Sequence, residues 1–370
     1  MKHAVDDFRI ADQAMRYSLF APRLYNLCLS LGFRPGLMLP SRAFCSDETQ
    51  GYPVILLMQH FGVFPFDHGF VGGRVATDRH GPHAHHGEDL IIVQASHVGY
   101  DPESEGFGIY PRGCTQGRGL GDNCGKLCAV LSWYRREYES AKANVRFGAV
   151  EGEPAVVIDN SLLERERTEG LFLRLERFIG GDARAPRKSL STSKAFAPAD
   201  EWRATLDPAI WTGEPTPIGE RLKPEHFGFR RAPQEGPEGH DYLEDTLAPA
   251  MPSIVTSAHP ALDAARYHTQ CEFDRAYRSL RTSSAYRGKQ LLFVAGLNVD
   301  VAPPAGMPFP LTKFVPWAAY FRSRDGEERL FEQDALCEAL AQQATANPHQ
   351  VSFDAAIAAM SGAEGVTLRV

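Results

Sequence analysis

No stretch of the 370-residue chain is apolar for long enough to span a bilayer. The opening MKHAVDDFRIADQAM has acidic residues early and lacks the apolar segment of a signal peptide. It also lacks the Arg and Ser richness of a transit peptide. Positive charge is not in excess: 39 Lys and Arg stand against 46 Asp and Glu, a net charge of −7, so the footprint of a nucleic-acid binder is missing. Cysteine is sparse, seven residues and an odd number, which argues against a disulfide framework and for a reducing compartment. There a thiol serves as core filler, metal ligand or nucleophile. The expectation is a cytoplasmic protein with neither membrane nor nucleic acid as partner. There is no internal repeat. A hydrophobic share of 43% supports a substantial core in one large domain or two.

The pattern along the chain alternates. Asp6 and Asp7 open a helical region to about Leu31, broken near Pro22 and stopped by Gly32 and Pro35. GLMLPSRAFC at 36–45 forms a short strand ending at Cys45, and residues 48–73 read as a packed loop. In DLIIVQASH, residues 89–97, Leu90 to Val93 form a continuous β-branched-rich run that fits a central strand covered on both faces. It ends on His97, where the chain leaves the core, the place at which α/β sheets carry reactive side chains. A glycine-rich crossing at 106–125 leads into a helix over about 123–143, then a strand at 154–159 and a helix at 161–179. Residues 181–260 hold 11 of the 26 prolines and read as an elaborated insertion or a partly ordered connection. A helix near 261–283, strands at 290–301 and 309–323, and helices around 327–346 and 353–361 complete an α/β fold. The segments are then an N-terminal helical one (1–32), an α/β core (33–180 with 261–325), the proline-rich insertion (181–260) and a C-terminal helical one (326–370).

Three segments carry chemistry. FCSDET places Cys45 at a strand end with Asp47 two residues on; His97 closes the buried strand; GDNCGK puts Cys124 in the first turn of a helix, whose free N–H groups favour a thiolate. Cysteine and histidine are the preferred zinc ligands, and a catalytic zinc keeps one position open. The three are far apart in sequence, so spacing alone says little. A reading of another class uses Cys45 as nucleophile, His97 as base and Asp47 as orienter, a metal-free thiol hydrolase. It leaves Cys124 unexplained.

Taken together, CSDE at 45–48, HFGVFPFDHGFVGG at 60–73, SHVGYD at 96–101, NCGK at 123–126 and, more weakly, FVAGLNVDV at 293–301 resemble the limiting-CO2-inducible protein B/C family, which is β-carbonic-anhydrase-like. In β-carbonic anhydrases the histidine and second cysteine are three residues apart, whereas in this family a loop separates them, as it does here. The resemblance covers roughly residues 35–180 and 285–325. It implies a β-carbonic-anhydrase-like mixed sheet flanked by helices, with Zn2+ held by Cys45, His97 and Cys124. Asp47 would be catalytic, completing the tetrahedron at rest or turning away to accept a hydrogen bond from zinc-bound water. Zinc can lower the pKa of that water to about 7, so the implied reaction is reversible hydration of CO2 to bicarbonate. The family also implies a homodimer. One departure matters: where the β-carbonic anhydrases carry an arginine two residues after the aspartate, this chain has Thr49. Arg42, Arg112 and Arg118 are the candidate substitutes. If none serves, the protein binds zinc yet hydrates CO2 weakly and acts as a CO2/bicarbonate sensor or scaffold.

Other residues need weighing. His268-Thr-Gln-Cys271 has the three-residue step of the ordinary enzymes but lies in a helix-like stretch and reads as one helix face. Cys128 reads as a buried small hydrophobe on the face of Cys124, and Cys114 as a spare ligand. HGPHAHH at 80–86 reads as a solvated loop before a metal site or a proton shuttle. The glycine-rich run Gly113–Gly121 lacks the order of a phosphate loop. Phe61, Phe64, Phe66 and Phe70 could line a CO2 pocket or fill the core.

Overall fold

The computed structural model describes residues 7–76, 89–114, 117–164, 166–182, 184–231, 241–304, 307 and 309–362. The chain divides into two compact units, Met1–Gly125 with Ala265–Val370, and Lys126–Ala264. The elements that matter here are strands β1 (Met38–Ala43), β2 (Asp89–Asp101), β3 (Ile109–Cys114), β4 (Gly117–Asp122), β5 (Val145–Val150), β6 (Glu153–Asp159), β7 (Leu291–Val301) and β8 (Lys313–Arg322). The helices are α1 (Tyr17–Ser30), α2 (Gly51–Phe61), α3 (Gly125–Asn144), α4 (Pro260–Thr282) and α5 (Gln333–Ala341).

The first unit is built on a mixed sheet, as an α/β reading requires. Its order is Met15–Arg16, β8, β7, β2, β1, Phe66–Asp67. β2 lies parallel to both β1 and β7, while β8 runs antiparallel to β7. The continuous apolar run of β2 has a physical cause, because both of its faces are covered. Ile91, Val93 and Ala95, with Leu292 and Val294 of β7, pack under α1, α2 and α5. Leu90 and Ile92, with Leu291 and Phe293, pack under Phe273, Ala276 and Leu280 of α4.

Several elements depart from the sequence expectations. β2 does not stop at His97; it continues to Asp101, because pairing with β7 persists to Tyr100 and the short strand Gly106–Phe107 folds back on its end. Residues 51–61 are helix rather than packed loop. Pro53 falls in the first turn, where a missing N–H costs nothing, and Gly62 closes the helix at φ 78°. α1 starts only at Tyr17 and runs through Pro22 unbroken, its buried Tyr17, Phe20, Ala21 and Leu24 outweighing the lost hydrogen bond. The crossing at 106–125 is a β3–β4 hairpin. The helix expected over 161–179 is one turn at Asn160–Leu163 and then the strand Gly170–Leu173, paired with Phe227–Arg230. Before α5 the chain forms the strand Glu328–Phe331, paired with β8.

The second unit holds β5 and β6 in a five-stranded antiparallel sheet with Ser193–Phe196, Lys188–Ser189 and Thr216–Pro217. Trp202 and Trp211 lie against Phe147 with ring centroids 4.8 and 5.6 Å away. Where described, the proline-rich stretch is thus folded, in one unit with the residues from Lys126 onward. No helix among the described residues is long and apolar enough to cross a membrane.

One backbone approach is critical for the site. A Cβ on Gly99 would stand 2.6 Å from the Ile109 carbonyl oxygen and 3.0 Å from the Asn123 Cβ. Gly99→Ala is therefore expected to destabilise the first unit by about 1–3 kcal/mol, as overpacking does. Thermal denaturation checks this, and a melting temperature unchanged from the native protein would contradict it.

Candidate metal centre

Three elements meet at one end of the parallel strands. Cys45 lies two residues beyond β1. His97 lies in β2, the neighbour of β1. Cys124 is delivered by the β3–β4 hairpin, whose end is fastened to β2. Gly99 N–H donates to the Asn123 carbonyl (2.9 Å), Asn123 N–H to Gly108 (3.0 Å) and Gly108 N–H to Gly99 (2.9 Å). Ligand atoms of Cys45, His97 and Cys124 lie within 4.8 Å of one another, all three residues are buried, and the group could hold a metal ion. The two Sγ atoms are 4.0 Å apart. Gly72 N–H donates to the Cys45 Sγ at 3.3 Å, from a turn in which Gly72 adopts φ 78°.

The histidine is oriented from behind. His97 Nδ1 is 2.9 Å from Asp300 Oδ2, both side chains fully buried. A carboxylate there fixes the tautomer with Nδ1–H donating, and Nε2 is left buried with no hydrogen-bond partner. An orphaned buried nitrogen beside two thiols is what a metal-ligating histidine looks like without its ion, so the residues present fit a zinc-type centre.

The charge distribution is set locally. The hydrogen bond with Cys124, against the cost of burial, pulls the Cys45 thiol down, with His97 and the Gly72 N–H helping. The same hydrogen bond, together with burial, pushes the Cys124 thiol up. Burial opposes the charged form of His97, but Cys124 and Asp300 outweigh it and hold its pKa well above the usual histidine range.

Asp300 is the centre of a wider network that the sequence reading missed. It accepts from Thr312 Oγ1 (2.9 Å), from Gln50 Nε2 (2.9 and 3.2 Å) and from Thr49 Oγ1 (2.8 Å). Asn298 Nδ2 donates to Gln50 Oε1 at 2.6 Å, and Tyr17 donates its hydroxyl to Asn298 Oδ1 at 2.7 Å. The signal was present in LNVDV. Asn298 and Asp300 interrupt an apolar central strand two residues apart, hence on one face, and the parallel register sets Asn298 beside His97.

Asp47 is half-buried and caps the turn Glu48–Gln50. Its Oδ1 accepts the Thr49 N–H (3.1 Å) and the Thr49 hydroxyl (2.9 Å). Arg42 pairs with Asp67 at 2.7 Å, and the side chains of Arg112, Arg118 and Cys114 lie outside the described residues. The histidine cluster at 80–86 also lies outside them. Phe64, Phe66 and Phe70 are 60%, 47% and 51% exposed among the described residues, while Phe61 packs against Tyr25 in the core. His268 sits on α4, fully buried, with Nδ1 2.7 Å from Ser96 Oγ. Cys271 is half-buried, its thiol raised to about 11 by burial. That pair faces the other side of β2, since Ser96 and His97 alternate. Cys128 lies half-buried on α3.

No family model and no curated relative matches the sequence. Among solved structures the fold is similar to PtLCIB4, a homolog of the limiting CO2-inducible protein LCIB, with a TM-score of 0.49 and 12% identity over 88% of this chain and 97% of that one. It is similar also to LCIB itself, with a TM-score of 0.45 and 12% identity over 87% and 95% of the two chains.

The protonation pattern has a measurable consequence. Two buried thiols share the site, Cys124 pushed up, and a thiol must lose its proton to ligate a metal. Metal binding at pH 7 should therefore release at least one proton and tighten as pH rises. Titration calorimetry in buffers of different ionisation enthalpy measures that number. Release of no proton would refute the assignment.

Proposed function

We propose that the chain binds one Zn2+ through Cys45, His97 and Cys124 and catalyses reversible hydration of CO2 to bicarbonate. The observation that carries the metal reading is the buried Cys45–His97–Cys124 group with its unpartnered Nε2. Two thiolate sulfurs and one imidazole suit zinc better than harder cations. Three protein donors are also the set that leaves a zinc one position for chemistry. Zinc, when bound, supplies a Lewis acid that makes hydroxide available near neutral pH.

The chain's own residues do the rest. Gly72 N–H and the Cys45 sulfur settle the negative charge on one ligand. Asp300 holds the His97 ring at Nδ1, Gln50 and Thr312 hold Asp300, and Asn298 holds Gln50. The motif resemblance, which rests on Asp47 standing two residues from Cys45, supports Asp47 as the carboxylate that would accept a proton or a hydrogen bond at the open position. The reaction itself rests on the motif resemblance, as does the homodimer; the cytoplasmic location rests on the sparse, odd-numbered cysteines, and all three belong to the same proposal.

One observation favours a second reading. A neutral Thr49 stands where a β-carbonic anhydrase has arginine, and it holds Asp47 by hydrogen bonds alone. A zinc-bound CO2 or bicarbonate sensor with weak turnover fits that difference.

Zinc stoichiometry on the purified protein tests the metal. One zinc per chain is expected, with loss in Cys45→Ser, His97→Ala and Cys124→Ser. Stopped-flow CO2 hydration on the zinc-loaded protein then separates enzyme from sensor. Zinc-free native protein whose Cys124→Ser variant still performs Cys45 acyl chemistry would instead establish a thiol hydrolase. Asp300→Asn should keep the fold but weaken zinc binding by about 10–100-fold, read by competition with a chromophoric chelator.

A further inference from the structure

The Gly72 N–H that donates to the Cys45 sulfur comes from a turn, and that turn is held by side chains of β2 and α4. Gly72 and Gly73 both take positive φ, 78° and 83°, which glycine adopts without cost, and a Cβ on Gly73 would stand 2.1 Å from the Ala95 carbonyl oxygen of β2. The backbone pairing beside the turn is only two residues long, Gly69–Phe70 with Arg74–Val75, and so short a hairpin is not stable by itself. Gln94 Nε2 of β2 donates to the Gly73 carbonyl at 3.1 Å. Glu272 of α4 accepts the Val75 N–H at 2.6 Å, and Arg275, nearly one helical turn on, donates to the Val75 carbonyl. Arg275 also grips both oxygens of Glu272, at 2.6 and 2.9 Å. Glu272 is only 4% exposed, and a buried carboxylate is costly unless it is paired. Packing α4 on the sheet needs only its apolar residues, Phe273, Ala276 and Leu280. The charged pair answers a different need, to hold a short backbone segment at both its polar groups.

We propose that Glu272 and Arg275 are positioning residues for the metal centre: clamped on Val75, they keep the Gly72 N–H on the Cys45 sulfur and so limit how much charge that sulfur gives to a metal. A hydrogen bond to a ligating thiolate withdraws electron density from it, one of the ways in which the partners of metal ligands tune a site. Asp300 orients the imidazole from within the sheet, whereas this clamp acts on a sulfur from α4. This inference rests on the metal reading above.

The test reads the sulfur directly. Protein loaded with one Co2+ per chain should show a near-ultraviolet sulfur-to-metal charge-transfer band, whose position follows the donor strength of the thiolates. Glu272→Ala should bind Co2+ in the same stoichiometry with that band moved to longer wavelength, because Cys45 without the Gly72 N–H is the stronger donor. Glu272→Gln, which keeps an oxygen for the Val75 N–H, should hold the band at its native position. Phe293→Leu removes a ring stacked on Phe273 of α4 and none of the turn's hydrogen bonds. It should lower the melting temperature and leave the band in place, which separates positioning from general loosening. With an NMR-active cadmium isotope in place of Co2+, the native protein should show a scalar coupling between the metal and the Gly72 amide proton, lost in Glu272→Ala. Arg275→Ala provides the same comparisons if Glu272→Ala does not fold. An unmoved band and an intact coupling in the folded alanine variants would overturn the inference while leaving the metal site standing, and so would an equal shift in Phe293→Leu. Failure of the native protein to bind Co2+ would remove the metal reading and this inference with it.

Discussion

The site depends on one contact, His97 Nδ1 to Asp300, made between adjacent parallel strands in the centre of the sheet. Neither side chain touches solvent. A carboxylate in that setting is costly unless it is fully hydrogen-bonded, and removing the partner of such a buried pair costs about 3–5 kcal/mol. The chain meets the requirement by surrounding Asp300 with Thr312, Gln50, Thr49 and His97. The same contact uses up Nδ1 and leaves Nε2 as the only imidazole atom able to meet the sulfurs. A packing constraint thereby becomes a chemical one.

From this pair the network reaches outward through neutral groups. Gln50 spans Asp300 and Asn298, and Asn298 reaches Tyr17 on α1. Each amide both donates and accepts, so their orientations are mutually fixed rather than set one by one. Around the sulfurs the logic differs. The Cys45 and Cys124 sulfurs share a hydrogen bond, and the Gly72 N–H adds a donor to Cys45. A metal entering this group would meet an imidazole already oriented and two sulfurs already gathered.

The apolar runs of β2 and β7 made the central strands legible in sequence, because burial on both faces leaves a continuous signature. The candidate ligands were legible for a different reason: Cys45, His97 and Cys124 each border a glycine or a strand end in a quotable motif. What was not legible follows from pairing at a distance. The extension of β2 past His97 depends on β7, nearly two hundred residues away in the chain. The role of Asp300 depends on the register of that same pairing, and Thr49 owes the more distant of its two carboxylate partners to it. Helix α2 was misread because its aromatic and glycine content masked a plain apolar helix with proline in the first turn. The strand Gly170–Leu173 was misread because its partner, Phe227–Arg230, lies inside the proline-rich stretch.

Replacing arginine by threonine beside Asp47 changes the kind of control, not only its strength. An arginine brings a full positive charge and a planar fork that can grip both oxygens of a carboxylate. A threonine brings one neutral hydroxyl with no positive charge behind it. Hydrogen bonds to a charged group contribute about 1.5–3 kcal/mol each, so such a tether biases Asp47 by roughly one to two orders of magnitude in population. The Thr49 hydroxyl, standing between Asp47 and Asp300, thus joins the turn after β1 to the carboxylate that orients His97, and it does so without charge of its own.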